Sequence, residues 1–289
     1  MSAPGPASAP TAAPAPVSAP AVAPPARRGR FGGLLLAEWT KIRSVRSTVW
    51  TLLLFVVLTV GLTAGLTALV VGTWNRPGSA QGEARIIVDP VGFILGAGIG
   101  FGQLTICVLG VLLMTSEYST GVIRASLLAV PRRLPMLAAK IIVFAAMLIV
   151  LAEIVSFGSF FAGSALLHSK VPVSLGDPGV TRSILGAGLY LTVLGLFALA
   201  VGGLIRHSAG AIATVIGAVL VLPLLTGFLP GSIGKHVNAY LPEQAGSLIY
   251  QARTQASALL TPWPGFAVFC AWTVALLAGA AYLLVRRDA

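Results

Sequence analysis

Charged residues and cysteines are scarce in this chain. Of its 289 residues only 9% are charged and two are cysteines, whereas 56% are hydrophobic. A soluble domain carries about 25% charged residues, so the composition excludes an ordinary soluble protein and predicts an integral membrane protein. The cysteines, Cys107 and Cys270, lie within apolar runs and lack a metal-binding or redox spacing. We interpret them as small packing residues.

The sequence motifs of common catalytic and cofactor sites are also lacking. No Gly-x-x-x-x-Gly-Lys-Ser/Thr segment occurs, so the chain does not supply the usual ATP site. There is no His-Glu-x-x-His motif, Ser/His/Asp set or paired-carboxylate pattern, and His168, His207 and His236 are scattered. We therefore expect no enzyme activity, no catalytic residue, no cofactor and no metal site in this chain.

The sequence divides into two regions of different composition. The first 26 residues are almost entirely Ala, Pro, Ser and Thr, and such a segment buries too little apolar surface to offset the entropy cost of ordering it. We predict a disordered Ala/Pro-rich tail over residues 1–30 and one all-α transmembrane domain over residues 31–289.

Six long apolar runs predict six membrane-spanning helices. Each exceeds the roughly 20 residues that a hydrocarbon core of about 30 Å requires, and their continuity favours helices over alternating barrel strands. The runs cover residues 47–71, 91–115, 141–167, 183–205, 208–229 and 265–285. We expect Pro223 to kink the fifth helix, because proline removes a helical hydrogen bond.

The distribution of Lys and Arg predicts the orientation. With the N-terminus inside, thirteen of these residues fall on the inner side and six on the outer side. Cytoplasmic loops carry the excess of Lys and Arg, so we expect both termini in the cytoplasm. This asymmetry also explains the net charge of +11 without a nucleic-acid partner.

Residues 31–46 have the pattern of an amphipathic helix at the membrane surface. Apolar residues recur at spacings of three and four, Trp39 offers an interfacial anchor, and Glu38, Lys41, Arg43 and Arg46 supply the charge. The alternative is a basic juxtamembrane anchor without a role in binding a partner.

A polar segment interrupts the apolar sequence between the second and third runs. It reads Ser116-Glu117-Tyr118-Ser119-Thr120-Gly121-Val122-Ile123-Arg124 and continues to Pro131-Arg132-Arg133. Ser119 and Thr120 can cap a helix that ends near Pro131. We predict a short docking helix here. The alternative is a solvated loop whose arginines only set the topology.

Both segments resemble those of the ABC-2 type transporter permeases. Glu117, Tyr118, Gly121, Ile123 and Arg124 match the family's Glu-Tyr-x-x-Gly pattern, with Val122 where Thr is common, and residues 37–41 with Arg43 and Arg46 resemble its elbow helix. The resemblance implies that the polar segment is a coupling helix that contacts an ATPase subunit, which binds ATP. It also implies that this chain pairs with a second permease copy or a homologue.

The segment between Pro230 and Pro264 predicts a short helix at the outer membrane surface. Its apolar face comprises Leu248, Ile249, Ala252, Ala256, Leu259 and Leu260. The ABC-2 permeases carry a re-entrant element at this place, which the segment resembles. An interfacial helix with a structural role is the alternative.

Two polar residues within the spans are candidates for a substrate path, namely Glu153 and Gln103. An ionised carboxylate at mid-membrane costs about 2.5–3.5 kcal/mol on insertion scales, so Glu153 should face the bundle or a wet cavity. We interpret it as a packing residue, with a role in cargo contact or proton transfer as the alternative. Glycines four apart, such as Gly98 and Gly102 or Gly61 and Gly65, predict close helix packing within the bundle or, alternatively, at a subunit interface.

These features together predict the permease subunit of an ABC-2 type exporter in a bacterial plasma membrane. Its expected partners are a cytoplasmic ATPase subunit, a second permease and membrane lipids, and its expected cargo is lipophilic or amphipathic. An ion-coupled carrier or channel is the alternative function, and a membrane scaffold is a third.

Overall fold

The computed structural model of the protein describes residues 31–119, 133–229, 231–253 and 258–287. Eleven α-helices occur in these ranges, without a β-strand. They are α1 Phe31–Ser44, α2 Arg46–Gly72, α3 Ala80–Val88, α4 Pro90–Ser119, α5 Arg133–Leu167, α6 Val180–Ile205, α7 Ser208–Ile216, α8 Leu222–Gly227, α9 Gly231–Ala239, α10 Pro242–Ser247 and α11 Pro262–Arg287.

Six helices are long and apolar enough to cross a membrane, which confirms the predicted all-α, six-span architecture. They are α2, α4, α5, α6, the combined α7 and α8, and α11. The third span begins at Arg133 rather than near residue 141, so Lys140 lies within the helix. The protein is therefore a multi-pass membrane protein.

The fourth span, α6, lies at the centre of the bundle and packs against α4, α5, α7 and α11. Tyr190, its largest fully buried side chain, is 0% exposed. Glycine permits the close approach of α4, because a β-carbon added at Gly110 would lie 2.5 Å from the carbonyl oxygen of Gly195. Small residues thus allow this helix to be enclosed on several sides.

Glycines also bring α4 against α2. A β-carbon at Gly98 or Gly102 would overlap Thr59, and the hydroxyl of Thr63 donates a hydrogen bond to the carbonyl of Ile94 at 3.3 Å. The prediction of packing within the bundle is confirmed for this glycine pair. It is wrong for Gly61 and Gly65, where an added β-carbon would meet no atom within 4 Å, because this face of α2 points away from the other helices.

The fifth span changes its hydrogen-bonding pattern before Pro223. It consists of α7, a π-helical segment Gly217–Val221 and α8, with proline in the first turn of α8. Proline lacks the N–H that would continue the α-helical ladder, and a π-segment is one way for a helix to accommodate this loss. The predicted kink at Pro223 stays a prediction, whereas the change of hydrogen-bonding pattern beside it is shown.

The short helix predicted between Pro242 and Pro262 does not extend past Tyr250 in the described part of the chain. The chain instead forms α10 and a single 3-10 turn, Leu248–Tyr250, and then leaves the helical conformation. Arg182 explains this ending, because its guanidinium donates hydrogen bonds to the carbonyls of Ile249, Gln251 and Ala252 at 3.3, 2.9 and 3.1 Å.

The segment nevertheless enters the bundle, as a re-entrant element would. Ala245 and Ile249 are 0% exposed. A β-carbon added at Gly186 of α6 would lie 2.5 Å from the carbonyl oxygen of Ile249. The side chains of Ala245 and Ile249 therefore face the bundle rather than the membrane surface.

The N-terminal amphipathic helix is confirmed as α1, but it ends at Ser44, and Arg46 is the first residue of α2. The predicted disordered tail over residues 1–30 lies outside the described residues. The predicted coupling segment lies only partly within the described residues, because Glu117 and Tyr118 belong to α4, which continues to Ser119, whereas Gly121, Ile123 and Arg124 lie outside.

Candidate functional site

A buried cluster of four charged side chains joins α1, α4 and α5. The ammonium of Lys140 lies 2.7 Å from Oε2 of Glu38 and 2.7 Å from Oε1 of Glu117. Lys41 forms an ion pair with the same Glu117 oxygen and lies 3.8 Å from Oε1 of Glu38. We call these four residues the charge cluster.

Two of the four charges lie on the face of α1 that packs against the bundle. Glu38 and Ile42 are buried, whereas Trp39 and Arg43 on other faces of the helix are exposed. Because Glu38 and Lys41 are three residues apart, they lie on one side of α1 and point into the bundle. Sequence analysis assigned the charged residues of α1 to a membrane-surface helix, but these two bind neighbouring helices instead.

The cluster is compensated in charge, with two carboxylates and two ammonium groups. The side chain of Lys140 is 1% exposed and that of Glu117 is 4% exposed, so each has lost most of its hydration. Removing one partner from such a buried pair costs about 3–5 kcal/mol, because the other charge is left unpaired. The cluster therefore holds α1 against the ends of α4 and α5.

Lys41 lies at the edge of the cluster, with a side chain that is 35% exposed. Burial lowers the pKa of its ammonium group, and the positive charge of Lys140 lowers this pKa further, while Glu38 acts in the opposite direction. The physical reason is that partial desolvation and a like charge both disfavour the protonated form.

Tyr118 fixes the same end of α4 to two other spans. The guanidinium carbon of Arg206 lies 4.9 Å from the centre of the tyrosine ring, a cation–π contact. Nη2 of Arg206 also donates a hydrogen bond to the carbonyl of Leu283 in α11 at 3.1 Å. Arg206 follows α6 directly and has a left-handed backbone with φ of 62°. This conformation is uncommon for a non-glycine residue.

A hydrogen bond between two hydroxyl groups attaches the fifth span to the last turns of α4. Ser208, the first residue of α7, donates a hydrogen bond from Oγ to Oγ1 of Thr115 at 2.9 Å. Thr115 is buried and precedes Glu117 by two residues. The last turns of α4 thus contact α1, α5, α6 and α7, and α11 through Arg206. A displacement at this end would reach each of these helices.

The structure does not bring the two candidate substrate-path residues together. Oε1 of Gln103 accepts a hydrogen bond from the hydroxyl of Tyr190 at 2.8 Å. The Glu153 carboxyl instead packs against Gly188, and its Oε2 has no hydrogen-bond partner within the described part of the chain. Positions 188 and 190 of α6 differ by about 200° around the helix axis, so the two candidates lie on nearly opposite sides of it.

The re-entrant element contributes an acid that sequence analysis did not select. Glu243 lies in the first turn of α10. Burial raises the pKa of its carboxyl group to about 7, because desolvation disfavours the charged form. Burial also raises the pKa of Tyr250 in the adjacent 3-10 turn, and the charge of Glu243 adds to this effect.

Sequence analysis named Glu38, Lys41, Glu117 and Tyr118, and the structure joins the first three in one cluster. The sequence patterns did not single out Lys140, Arg206 or Arg182. For Lys140 a signal exists, because this lysine has apolar neighbours at residues 137–139 and 141–144. A lysine within apolar sequence requires a partner if the helix continues through it.

Among the described residues, no three His, Cys, Asp or Glu side chains converge in a way that could hold a metal ion. Comparison with known proteins gives no matching family model and no matching curated protein.

Proposed function

We propose that the chain is the permease subunit of an ABC-2 type transporter. The observation that carries this proposal is the position of the charge cluster. It ties the elbow-like helix α1 to Glu117 and Lys140, which flank the segment whose sequence resembles a coupling helix. Coupling of ATP hydrolysis to transport requires a rigid connection between the coupling segment and the spans.

Glu117 and Tyr118 act in this proposal as positioning residues. Glu117 is buried and bound by two lysines, so it transmits a displacement of the coupling segment rather than contacting the ATPase. Arg124 is the residue of the motif that we assign to direct contact with the partner. Movement of the segment would pull on α4, and through the charge cluster and Arg206 on the surrounding spans.

The remaining parts of the proposal follow from charge asymmetry and from the resemblance. The α1 end of the bundle and both termini face the cytoplasm, and the protein lies in a bacterial plasma membrane. The ATP is bound and hydrolysed by a separate subunit, and a second permease completes the pathway. The many apolar side chains of the spans suit export of a lipophilic or amphipathic cargo.

Co-purification from native membranes tests the proposal. The tagged chain should retain an ATP-binding cassette subunit that mass spectrometry identifies in near-stoichiometric amount. Arg124→Glu should remove this subunit, and Arg76→Glu, a charge reversal at the opposite end, should not. Absence of any ATPase from the wild-type preparation would contradict the proposal. Equal retention by both variants would contradict the role of Arg124.

The second candidate function is an ion-coupled carrier or channel. Oε2 of Glu153, which has no hydrogen-bond partner among the described residues, favours this function, because an intramembrane carboxyl group is a common part of a proton or cation path. Proteoliposomes that contain the chain alone separate the two functions. Flux driven by a proton or sodium gradient without ATPase would support the carrier, and flux that requires ATPase and ATP would support the permease.

A further inference from the structure

A cleft of about 870 Å³ lies at the end of the bundle opposite to α1. Its walls are the last turns of α3, the first turns of α4 and the chain that follows the 3-10 turn. Residues that matter for its chemistry are Arg85, Ile86, Phe93, Gly96, Tyr250 and Arg253. Ligand sites commonly measure about 300–1,000 Å³, so the cleft has room for more than a small ion.

Two arginines and one acidic residue supply the charged groups of the cleft. Arg85 and Arg253 are exposed, and neither forms an ion pair or a side-chain hydrogen bond within the ranges that the structure describes. The acidic lining residue, Asp89, forms no ion pair with either arginine in the described ranges, and its Oδ1 accepts a hydrogen bond from the backbone N–H of Gly92 at 2.9 Å. Two guanidinium groups and one carboxylate leave the cleft with a net positive charge. Two free guanidinium groups are a suitable receptor for a carboxylate or phosphate.

The lower part of the cleft is apolar and extends along the second span. That span begins at Pro90, so Phe93 and Gly96 lie in its first two turns, whereas Arg85 precedes it on α3. Gly96 has no side chain, and a β-carbon there would meet only Cε2 of Tyr250, at 4.0 Å. The cleft therefore combines a charged part on α3, outside the second span, with an uncharged wall on the first two turns of that span.

We propose that this cleft binds an anionic amphiphile. Arg85 and Arg253 hold its phosphate or carboxylate head, and its apolar chain lies along Ile86, Phe93 and the open side of Gly96. A membrane phospholipid and a free amphiphilic molecule share this chemistry. The inference does not rest on the proposed transport function, because it requires only the described cleft.

Binding of fluorescent phosphatidylglycerol to the full chain in a neutral detergent tests the charged part of the cleft. The double variant Arg85→Gln/Arg253→Gln should weaken binding at least tenfold. The matched control Arg76→Gln/Lys170→Gln removes the same charge from exposed residues at the same end and should change binding less than twofold. Equal weakening by both double variants, or equal binding of phosphatidylcholine by the wild type, would overturn the proposal.

Gly96→Leu tests the apolar part, because the added side chain would occupy the cleft without an initial clash. It should abolish phosphatidylglycerol binding while the apparent Tm remains close to that of the wild type. Undiminished lipid binding by the folded variant would place the ligand elsewhere and overturn the proposal.

Competition distinguishes the sources of the ligand. Displacement of the lipid by dodecyl phosphate would show that a free single-chain amphiphile fits, and retention of the lipid against it would assign the cleft to phospholipid. Either result supports the shared chemistry. Displacement by inorganic phosphate at the same concentration would show an anion site without an apolar component, contrary to the proposal.

Discussion

The ammonium of Lys140 lies 2.7 Å from Oε1 of Glu117, deep in the bundle, although the two residues are 23 positions apart in sequence. The residues between them include the segment that resembles a coupling helix. The same ammonium also binds Glu38 of α1, 102 positions away. One lysine therefore joins α4 to α5, the two described helices that flank this segment, and fastens the N-terminal helix to both.

Lys140→Met should destabilise the protein strongly. Methionine keeps much of the side-chain volume but leaves Glu38 and Glu117 with Lys41 alone, and loss of one partner from a buried ion pair costs about 3–5 kcal/mol. We expect a large fall in apparent Tm, measured in detergent by intrinsic fluorescence. Lys41→Met is the matched control and should cost less, because this side chain is 35% exposed.

A double variant separates loss of pairing from loss of packing at Lys140. Glu38→Gln/Lys140→Met removes one carboxylate together with the ammonium and should recover part of the apparent Tm. Equal decreases in apparent Tm for Lys140→Met and Lys41→Met, with no recovery in the double variant, would show that the charge cluster does not stabilise the fold.

Arg182→Gln should loosen the re-entrant element. The guanidinium satisfies three backbone carbonyls that follow α10, and glutamine cannot reach all of them with one amide group. We expect a cysteine placed at Ser247, which is 6% exposed, to react with maleimide several-fold faster in this background. Lys170→Gln is a control on the same side of the bundle and should leave the rate unchanged.

The spans could be predicted from the sequence because their lengths follow from the thickness of the membrane. The periodicity of residues 31–46 likewise predicted α1. Neither pattern identifies the partner of a charged side chain, so the contact of Lys140 with Glu38 could not be found. The helix expected between Pro242 and Pro262 ends earlier, at Tyr250, for a related reason. Apolar composition does not distinguish a continued helix from a non-helical chain whose carbonyls accept hydrogen bonds from a distant arginine.

Labelling of single cysteines with an impermeant maleimide tests the proposed orientation. In a background without Cys270, Ser174→Cys should react in intact cells, because the exposed loop between α5 and α6 lies at the end that we assign to the outside. Ser44→Cys, exposed on α1, should react only after the membrane is permeabilised. The reverse pattern would place the termini outside.

Glu243 should make stability depend on pH. Burial raises its pKa to about 7 from 4.5, so the folded state binds more protons than the unfolded state between these values, and stability falls as the pH rises through this window. We expect the apparent Tm of the wild type to decrease from pH 5 to pH 8. Glu243→Gln should flatten this profile, whereas Asp177→Asn, which alters an exposed carboxylate of a loop, should preserve it.

Glu153→Gln separates packing from a role in transport. The carboxyl packs against Gly188 and leaves one oxygen without a partner among the described residues. Glutamine keeps the shape and one acceptor oxygen while removing the possible charge, which lowers the cost of insertion. We expect expression equal to or higher than that of the wild type, and near-normal transport in reconstituted vesicles.

The neighbouring glycine supplies the control for this interpretation. A β-carbon at Gly188 would overlap the Glu153 carboxyl, so Gly188→Ala should lower the apparent Tm. The decrease in apparent Tm should be smaller in a Glu153→Ala background, because the carboxyl group that the added β-carbon would meet is absent there. The two substitutions are therefore coupled through one contact. If Glu153 instead relays a proton or contacts cargo, well-expressed Glu153→Gln protein loses most of its transport and its pH dependence changes. That loss, together with additive effects of the two alanine substitutions, would show that packing does not explain this residue.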